Sequence, residues 1–235
     1  QLSFTLESGG SLGIIGESGS GKTTLGLALM GILDSLAVVD GKIEYKGVNL
    51  RELSTRQRKQ YSWKRIAMVF QNSLDNLNPL LTIREQIKET ITRHLKLTPK
   101  ETENRIKDLL QKVGLDLYVG NCYPHQLSGG MRQKVMVAMA LACDPEVLII
   151  DEPTTALDAI SKAEIVNLLA KLHRERRFSM IVISHDFSVV TRLTTKMCVL
   201  YKGQILEEGI TKDILKNPMH PYTRGLIYSS PSINP

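Results

Sequence analysis

A glycine-rich segment near the start of the sequence has the residue types and spacing of a phosphate-binding loop. Its residues are Gly16, Glu17, Ser18, Gly19, Ser20, Gly21, Lys22 and Thr23, followed by Thr24. They fit the pattern G-x-x-x-x-G-K-[ST], in which backbone N–H groups converge on phosphates and the following helix adds its dipole. The lysine brings a positive charge to the β and γ phosphates, and the Thr23 hydroxyl is suited to Mg²⁺. We predict a nucleoside-triphosphate site at residues 16–24.

Two acidic residues follow an apolar run in the second half of the sequence. Residues 147–150 are all apolar and lead directly into Asp151 and Glu152. A buried parallel strand has this composition, and its carboxyl end is where ligands bind in an open α/β sheet. Asp151 is therefore predicted to hold Mg²⁺, and Glu152 to face an attacking water as its general base or its orienter.

Alternating strand-like and helix-like patterns indicate the elements that position these residues. Apolar runs or alternation predict strands at 2–6, 12–15, 43–45, 66–70, 147–151, 180–184, 196–201 and 204–207. Helical spacing and capping residues predict helices at 22–32, 54–60, 82–94, 99–113, 129–142, 159–174 and 187–193. We predict an α/β fold with a mainly parallel sheet. Its P-loop NTPase core occupies 1–70 and 145–235 and is interrupted by an inserted α-helical subdomain at 71–144.

Composition is ordinary for a folded domain, with 42% hydrophobic and 23% charged residues in 235. The apolar runs are strand-sized, far short of the roughly 20 residues that cross a bilayer, so we expect any membrane role to come through partners. The net charge of +6 is interpreted as a solvated surface plus phosphate-binding cations, because no basic run exceeds a few residues. Three isolated cysteines, Cys122, Cys143 and Cys198, match no metal spacing and are predicted to be reduced and mostly buried.

A second glycine-containing segment carries a resemblance to a known family. Ser128, Gly129 and Gly130 follow Leu127 and precede Met131-Arg132-Gln133. This segment resembles the signature sequence of ABC ATPases, which P-loop GTPases and kinases lack. A serine hydroxyl and bare N–H groups at a helix N-terminus form another anion-binding surface. The resemblance implies an ABC nucleotide-binding domain with a RecA-like core. Two such domains would pair head to tail, each signature closing over the ATP of the other.

Three further residues resemble ABC motifs, in the family's order along the chain. Gln71 resembles the glutamine that touches Mg²⁺ and the water, Asp158 the aspartate that acts across the dimer interface, and His185 the switch histidine that hydrogen-bonds the γ-phosphate. The resemblance implies an ATPase that uses ATP and Mg²⁺. Its implied catalytic residues are Glu152, His185 and Gln71, and its implied metal site comprises Thr23, Gln71 and Asp151.

Several local sequences resemble the branch of ABC importers for oligopeptides, dipeptides and nickel. They are Phe70-Gln71-Asn72 with Leu77-Asn78-Pro79, Tyr123-Pro124-His125-Gln126, Met131-Arg132-Gln133, and Asn217-Pro218-Met219-His220-Pro221-Tyr222-Thr223. The branch implies a peripheral protein at the cytoplasmic face of the membrane. Its implied partners are a second ATPase subunit, identical or different, two membrane-spanning permease subunits, and indirectly an extracellular solute-binding protein. Residues 71–79 and the helical subdomain would dock a cytoplasmic helix of the permease.

Two alternatives within the family stay open at this point, an exporter motor and an ATPase acting on nucleic acid or the ribosome. The His-Pro-Tyr-Thr segment favours the importer, and the lack of sustained heptads between the two glycine segments argues against a nucleic-acid partner. The transported solute and any C-terminal iron–sulfur extension are not specified. The family's adenine-stacking aromatic lies further upstream than Phe4, so we do not assign Phe4 that role. Because the sequence begins at Gln1, we expect a fragment without its natural N-terminus.

Overall fold

The computed structural model describes residues 2–34, 36–71 and 76–230, and a mixed β-sheet lies at its centre. The strands are β1 (Ser11–Ile15), β2 (Glu44–Tyr45), β3 (Val48–Asn49), β4 (Ile66–Val69), β5 (Val147–Asp151), β6 (Ser179–Ser184), β7 (Lys196–Tyr201) and β8 (Gln204–Ile210). The main sheet has the order β4-β5-β6-β1-β7-β8, and all its pairings are parallel except β7 with β8. The short β2 and β3 form a separate antiparallel hairpin. A mainly parallel sheet was predicted and is confirmed.

Helices cover the sheet and fill the interval between β4 and β5. They are α1 (Lys22–Met30), α2 (Thr55–Arg58), α3 (Ile83–His94), α4 (Pro99–Lys112), α5 (Gly129–Ala140), α6 (Ala159–Arg176), α7 (Phe187–Leu193), α8 (Thr211–Lys216) and α9 (Pro221–Tyr228). Short 3₁₀ turns lie at Leu50–Glu52, Leu117–Asn121 and Pro124–Gln126. The described residues of 71–144 contain α3, α4, α5 and 3₁₀ turns but no strand. The subdomain boundaries themselves stay a prediction.

Local sequence explains where several helices begin and end. Thr82 caps α3 and Thr98 caps α4, each in a capping box with the glutamate three residues later. α1 ends at Met30 rather than at the predicted residue 32 because Gly31 adopts a left-handed conformation, with φ of 69°, which stops a helix. The predicted helix at 54–60 is likewise shorter and covers only α2.

The strand predicted at residues 2–6 is wrong. Leu2, Phe4 and Leu6 do point inward and pack against the cluster that contains Leu12 and Ile14. The alternation is therefore real, but the segment joins no hydrogen-bonded ladder. A strand requires a partner as well as an apolar face, and alternation alone does not supply one.

The sheet brings the predicted chemistry to one edge. The strands β1, β4 and β6 are buried along their full length, as is β5 beyond its first residue. Because β1, β5 and β6 run parallel and adjacent, their carboxyl ends deliver the phosphate loop, Asp151-Glu152 and His185 to the same side.

Two further expectations concern cysteines and the membrane. Cys143 and Cys198 are buried, Cys122 is half-buried, and all three are free thiols, as predicted. Across the described ranges, no helix combines the length and the apolar character needed to cross a bilayer.

Candidate functional site

The phosphate loop connects the buried strand β1 to the helix α1, and its glycines are required by the backbone. Gly19 and Gly21 have φ of 79° and 100°, in the region that side chains disfavour. A Cβ on Gly16 would lie 2.2 Å from the carbonyl oxygen of Leu200. The loop therefore lies directly on β7, and only glycine fits at its first position.

Lys22 holds a buried positive charge within this loop. Its Nζ donates hydrogen bonds to the carbonyl oxygens of Gly16 and Glu17, both at 2.8 Å. Burial lowers the pKa of Lys22, while the negative charges of Glu152, Asp151 and Glu17 oppose that change. The cation is thus fixed among acidic groups on a surface that already favours an anion.

Asp151 has the features expected of a metal ligand. It is 1% exposed, and neither carboxylate oxygen has a regular hydrogen-bond partner among the described residues. Burial raises the pKa of Asp151, and the nearby side chain of Thr23 opposes the rise. An unpartnered buried carboxylate beside a threonine hydroxyl fits Mg²⁺, which typically takes one or two carboxylates plus substrate phosphates. This donor set is sparse, and the described residues contain no cluster of three or more His, Cys, Asp or Glu side chains suited to a metal.

Glu152 and His185 form a pair at the mouth of the site. One carboxylate oxygen, Oε1, accepts the backbone N–H of His185 at 3.0 Å and lies 2.8 Å from its Nδ1. The other oxygen accepts from the hydroxyls of Thr155 at 3.3 Å and Ser184 at 3.4 Å. Glu152 itself has a φ of 48°, an uncommon conformation for glutamate that turns the chain away from β5. The carboxylate is buried, whereas 63% of the His185 side chain is exposed.

A cleft of about 630 Å³ joins most of the predicted residues. Its lining contains Gly16, Glu17, Ser18, Gly19, Gly21, Lys22, Thr23, Thr24, Gln71, Glu152 and His185. Two predicted residues, Ser20 and Asp151, lie behind this surface and do not line it. The backbone carbonyl of Gln71 accepts the side-chain amide of Asn76 at 2.8 Å.

The signature residues are not part of the cleft. Ser128 caps α5, and its Oγ accepts the N–H of Met131 at 3.2 Å. A Cβ on Gly130 would lie 3.0 Å from the Ser161 hydroxyl, so the signature packs closely on the start of α6. That helix is capped by Asp158, whose carboxylate accepts the N–H groups of Ile160 and Ser161. The signature and Asp158 therefore lie together, apart from the phosphate loop of the same chain.

Five cleft residues were not singled out from the sequence as site residues. They are Thr155, Phe187, Leu226, Ser229 and Ser230. Thr155 and Phe187 closely follow predicted residues, so proximity along the chain was an available signal. The other three follow the His-Pro-Tyr-Thr segment, which was used only as a mark of the importer branch.

Two other sequence expectations have limited outcomes. Phe4 does not line the cleft and packs against the sheet instead. Within the proposed permease-docking segment 71–79, residues 72–75 lie outside the described residues, including Asn72 of the branch motif.

Comparisons with known proteins identify the family. Residues 1–155 match the family described as ABC transporter, and residues 206–235 match the one described as Oligopeptide/dipeptide transporter, C-terminal region. The dipeptide transport ATP-binding protein DppD of Haemophilus influenzae is 42% identical, over 98% of this chain and 71% of that protein. The DppD protein of Escherichia coli is 40% identical over 98% and 72%.

Solved structures agree with the sequence matches. The ATP-binding cassette MJ0796, in a dimeric post-hydrolysis state bound to ADP and Pi, has a TM-score of 0.78 at 28% identity, covering 88% of each chain. A second dimeric structure of MJ0796, described as a bacterial ABC transporter cassette, has a TM-score of 0.77 at 29% identity and the same coverage. The predicted family, fold class and ATPase activity are confirmed, and this chain belongs to the ABC transporter family as an ATP-hydrolysing subunit of its oligopeptide/dipeptide branch.

Proposed function

We propose that this chain hydrolyses ATP to power the uptake of peptides, or of a related small solute such as nickel, by closing and opening an ATPase dimer. The convergence of the phosphate loop, Glu152 and His185 on one cleft carries this proposal. The match of residues 206–235 to the oligopeptide/dipeptide C-terminal region favours an importer over an exporter motor or a nucleic-acid ATPase. The relatives named as dipeptide transport proteins support peptides as the solute.

The triphosphate binds on residues 16–24. Backbone N–H groups of the loop and the N-terminus of α1 face the phosphates, and Lys22 supplies the charge that the β and γ phosphates attract. Thr23, Asp151 and Gln71 would hold Mg²⁺, which neutralises charge on the phosphate oxygens when bound. ATP is thereby held with its γ-phosphate toward Glu152 and His185.

Hydrolysis depends on the paired side chains at the mouth of the cleft. Glu152 accepts a proton from the attacking water as its oxygen bonds to the γ-phosphorus, and the bond to the β–γ bridging oxygen breaks to release ADP. His185 contacts the γ-phosphate, and Gln71 orients the water. The observed 2.8 Å contact between Glu152 and His185 supports their acting as one unit.

A complete site requires a second ATPase subunit, identical or different. Ser128, Gly129 and Gly130 do not line the cleft of their own phosphate loop, so we propose that they close over the ATP of the partner, with Asp158 at the interface. The dimeric structures of the related cassette support this arrangement. At the cytoplasmic face of the membrane, the ATPase dimer would pass its motion to two membrane-spanning permease subunits. An extracellular solute-binding protein would deliver the solute, and we expect no nucleic-acid partner.

A pull-down of the full-length protein from solubilised native membranes tests the proposal. We expect two polytopic membrane proteins and a second ATPase to co-purify, identified by mass. Cells that carry the Lys22→Ala variant should take up less of a radiolabelled dipeptide than cells that carry the wild-type protein. Ribosomal or DNA-bound partners would contradict the transport function, and loss of efflux instead of uptake would identify an exporter.

A further inference from the structure

The C-terminal segment of the described chain forms one wall of the ATP cleft. Leu226, Ser229 and Ser230 line the same cleft as the phosphate loop. On the inner face of α9, the ring of Tyr222 packs against Tyr201, with 4.5 Å between ring centroids. Its neighbours in this apolar cluster include Phe187, which follows the switch histidine by two positions. The segment therefore borders the cleft that also contains the phosphate loop and His185.

One carboxylate anchors the start of this segment. Glu207 on β8 accepts the N–H groups of Met219 at 2.8 Å and His220 at 3.0 Å. Thr223 is fully buried, and its hydroxyl lies beside the same carboxylate short of regular hydrogen-bond geometry. Although burial acts in the opposite direction, these donors hold the pKa of Glu207 below its usual range. These hydrogen bonds fix the start of the segment to β8 of the main sheet.

Each residue of the His-Pro-Tyr-Thr segment has a separate structural task. The Nδ1 of His220 accepts the N–H of Tyr222 at 3.1 Å and so caps α9, and Pro221 occupies the first turn. Thr223 meets the anchoring carboxylate. This leaves the side chain of Tyr222 as the group that reaches the phosphate loop.

The Tyr222 hydroxyl is buried against Glu17, the first residue after Gly16. It has no regular hydrogen-bond partner among the described residues, yet it lies beside both the backbone and the side chain of Glu17. Burial raises the pKa of Tyr222, the Glu17 backbone N–H opposes the rise, and the Glu17 carboxylate adds to it. A phenol can accept from the N–H and donate to the carboxylate, so one side chain is placed to restrain both groups of Glu17.

We propose that Tyr222 is a positioning residue that holds Glu17, and with it the phosphate loop, in the shape that binds ATP. The carbonyl of Glu17 accepts a hydrogen bond from Lys22, so a shift of this residue displaces the cation that faces the phosphates. A loop fixed before ATP arrives loses less conformational entropy on binding. This inference rests on the proposed function, in which ATP binds on residues 16–24.

The test is the Tyr222→Phe substitution in the full-length protein, which keeps the ring and removes the hydroxyl. We expect ATP affinity to fall about two- to fivefold, the lower part of the range of one hydrogen bond, because the contact with Glu17 falls short of regular geometry. KM for ATP should rise with kcat nearly unchanged. The matched control is Tyr118→Phe in the 3₁₀ turn at Leu117–Asn121, which does not line the cleft; 62% of this residue is exposed, and affinity should not change. A lower Tm with unchanged ATP affinity in Tyr222→Phe would show a structural role only and overturn the inference.

Two further variants separate the possible failures. Glu17→Gln, alone and combined with Tyr222→Phe, should show non-additive effects on ATP affinity, because the two side chains act on one contact. Strictly additive effects would contradict the inference. Lys22→Ala must lose ATP binding in the same assay. If this variant binds ATP normally, the proposed ATP site is wrong. If Lys22→Ala loses binding but Tyr222→Phe does not, only the role of Tyr222 fails.

Discussion

Two glycine-containing helix N-termini in this chain share a local design but differ in their surroundings. The phosphate loop before α1 contains the buried cation of Lys22 and opens onto a cleft that includes Glu152 and His185. The signature before α5 exposes Ser128, whose hydroxyl is used to cap its own helix. Both termini present bare N–H groups to an anion.

The difference suits the proposed roles of the two termini, in which only the first binds ATP without a partner. A single helix N-terminus attracts an anion only weakly. At α1, Lys22 adds a positive charge for the phosphates, and the nearby carboxylates add groups that could bind a metal ion or accept a proton. Among the described residues the signature does not share a cleft with a comparable cation and carboxylate pair, so we propose that another subunit supplies these groups. We therefore expect substitutions at α1 to affect single-chain binding, and those at α5 to affect only the assembled dimer.

The largest expected effect is at Glu152. Glu152→Gln removes the proposed proton acceptor but preserves the shape of the side chain, so turnover should fall about 10²- to 10⁴-fold while ATP still binds. Phosphate release and equilibrium nucleotide binding, measured on the same preparation, check this prediction. ATP turnover at the wild-type rate in Glu152→Gln would contradict the role proposed for Glu152.

The next largest effect is at Lys22. Lys22→Ala removes a charged donor that faces the phosphates, so ATP affinity of the single chain should fall roughly 10- to 100-fold. Fluorescent-nucleotide titration at low protein concentration measures this without contribution from dimer closure. Unchanged ATP affinity in Lys22→Ala would contradict the assignment of the loop before α1 as the ATP site of the single chain.

A smaller effect is expected at Ser128, where two substitutions separate capping from phosphate contact. Aspartate and asparagine both cap helices well, so Ser128→Asp and Ser128→Asn should keep the stability of the chain. The aspartate places a negative charge on the surface proposed to close over the partner's ATP. Turnover of Ser128→Asp should therefore fall roughly tenfold or more, whereas that of Ser128→Asn should not. ATP affinity of the single chain should change in neither variant. A loss of single-chain affinity in the aspartate variant would remove the distinction between the two termini.

Much of the fold was predictable because its central strands are buried on both faces. Continuous apolar runs such as those of β4 and β5 have few other structures open to them, and their positions are confirmed. The segment at 2–6 shows the limit, since its inward-facing alternation gives no information about a pairing partner. Strand pairing is decided by distant parts of the chain.

The candidate site likewise has residues whose meeting the sequence predicts and a contact that it does not predict. The phosphate loop, Asp151-Glu152 and His185 follow strand ends, so the parallel sheet that the sequence predicts also predicts their meeting. Their individual roles stay predictions. The contact between Tyr222 and Glu17 joins residues near opposite ends of the chain, and no local spacing indicates it.

The smallest expected effect tests whether losses at the two helix termini arise from weakened folding. Glu146 precedes β5, at the opposite end of that strand from Asp151. Its carboxylate accepts from Lys46 and, at 2.7 Å, from the Tyr45 hydroxyl, and it also pairs with Arg65 at 2.5 Å. These groups lower the pKa of Glu146 to about 2. A third of the side chain is exposed, so after solvent screening Glu146→Gln should cost about 1 kcal/mol at neutral pH.

The pH dependence identifies that contribution. The folded pKa of Glu146 lies below the unfolded value of roughly 4.3, so its stabilisation is fully present above that value and is lost as pH falls toward about 2. Urea unfolding of wild type and Glu146→Gln should therefore differ at pH 7 and converge in acid. Glu175→Gln, in an exposed pair with Lys171 at 3.9 Å, is the control and should leave stability almost unchanged. Because Glu146→Gln lowers stability without touching either helix N-terminus, its ATP affinity should equal that of the wild type. A matching loss of affinity would show that destabilisation alone reproduces the effects assigned to Lys22, and the comparison of the two termini would then need measurements at equal stability.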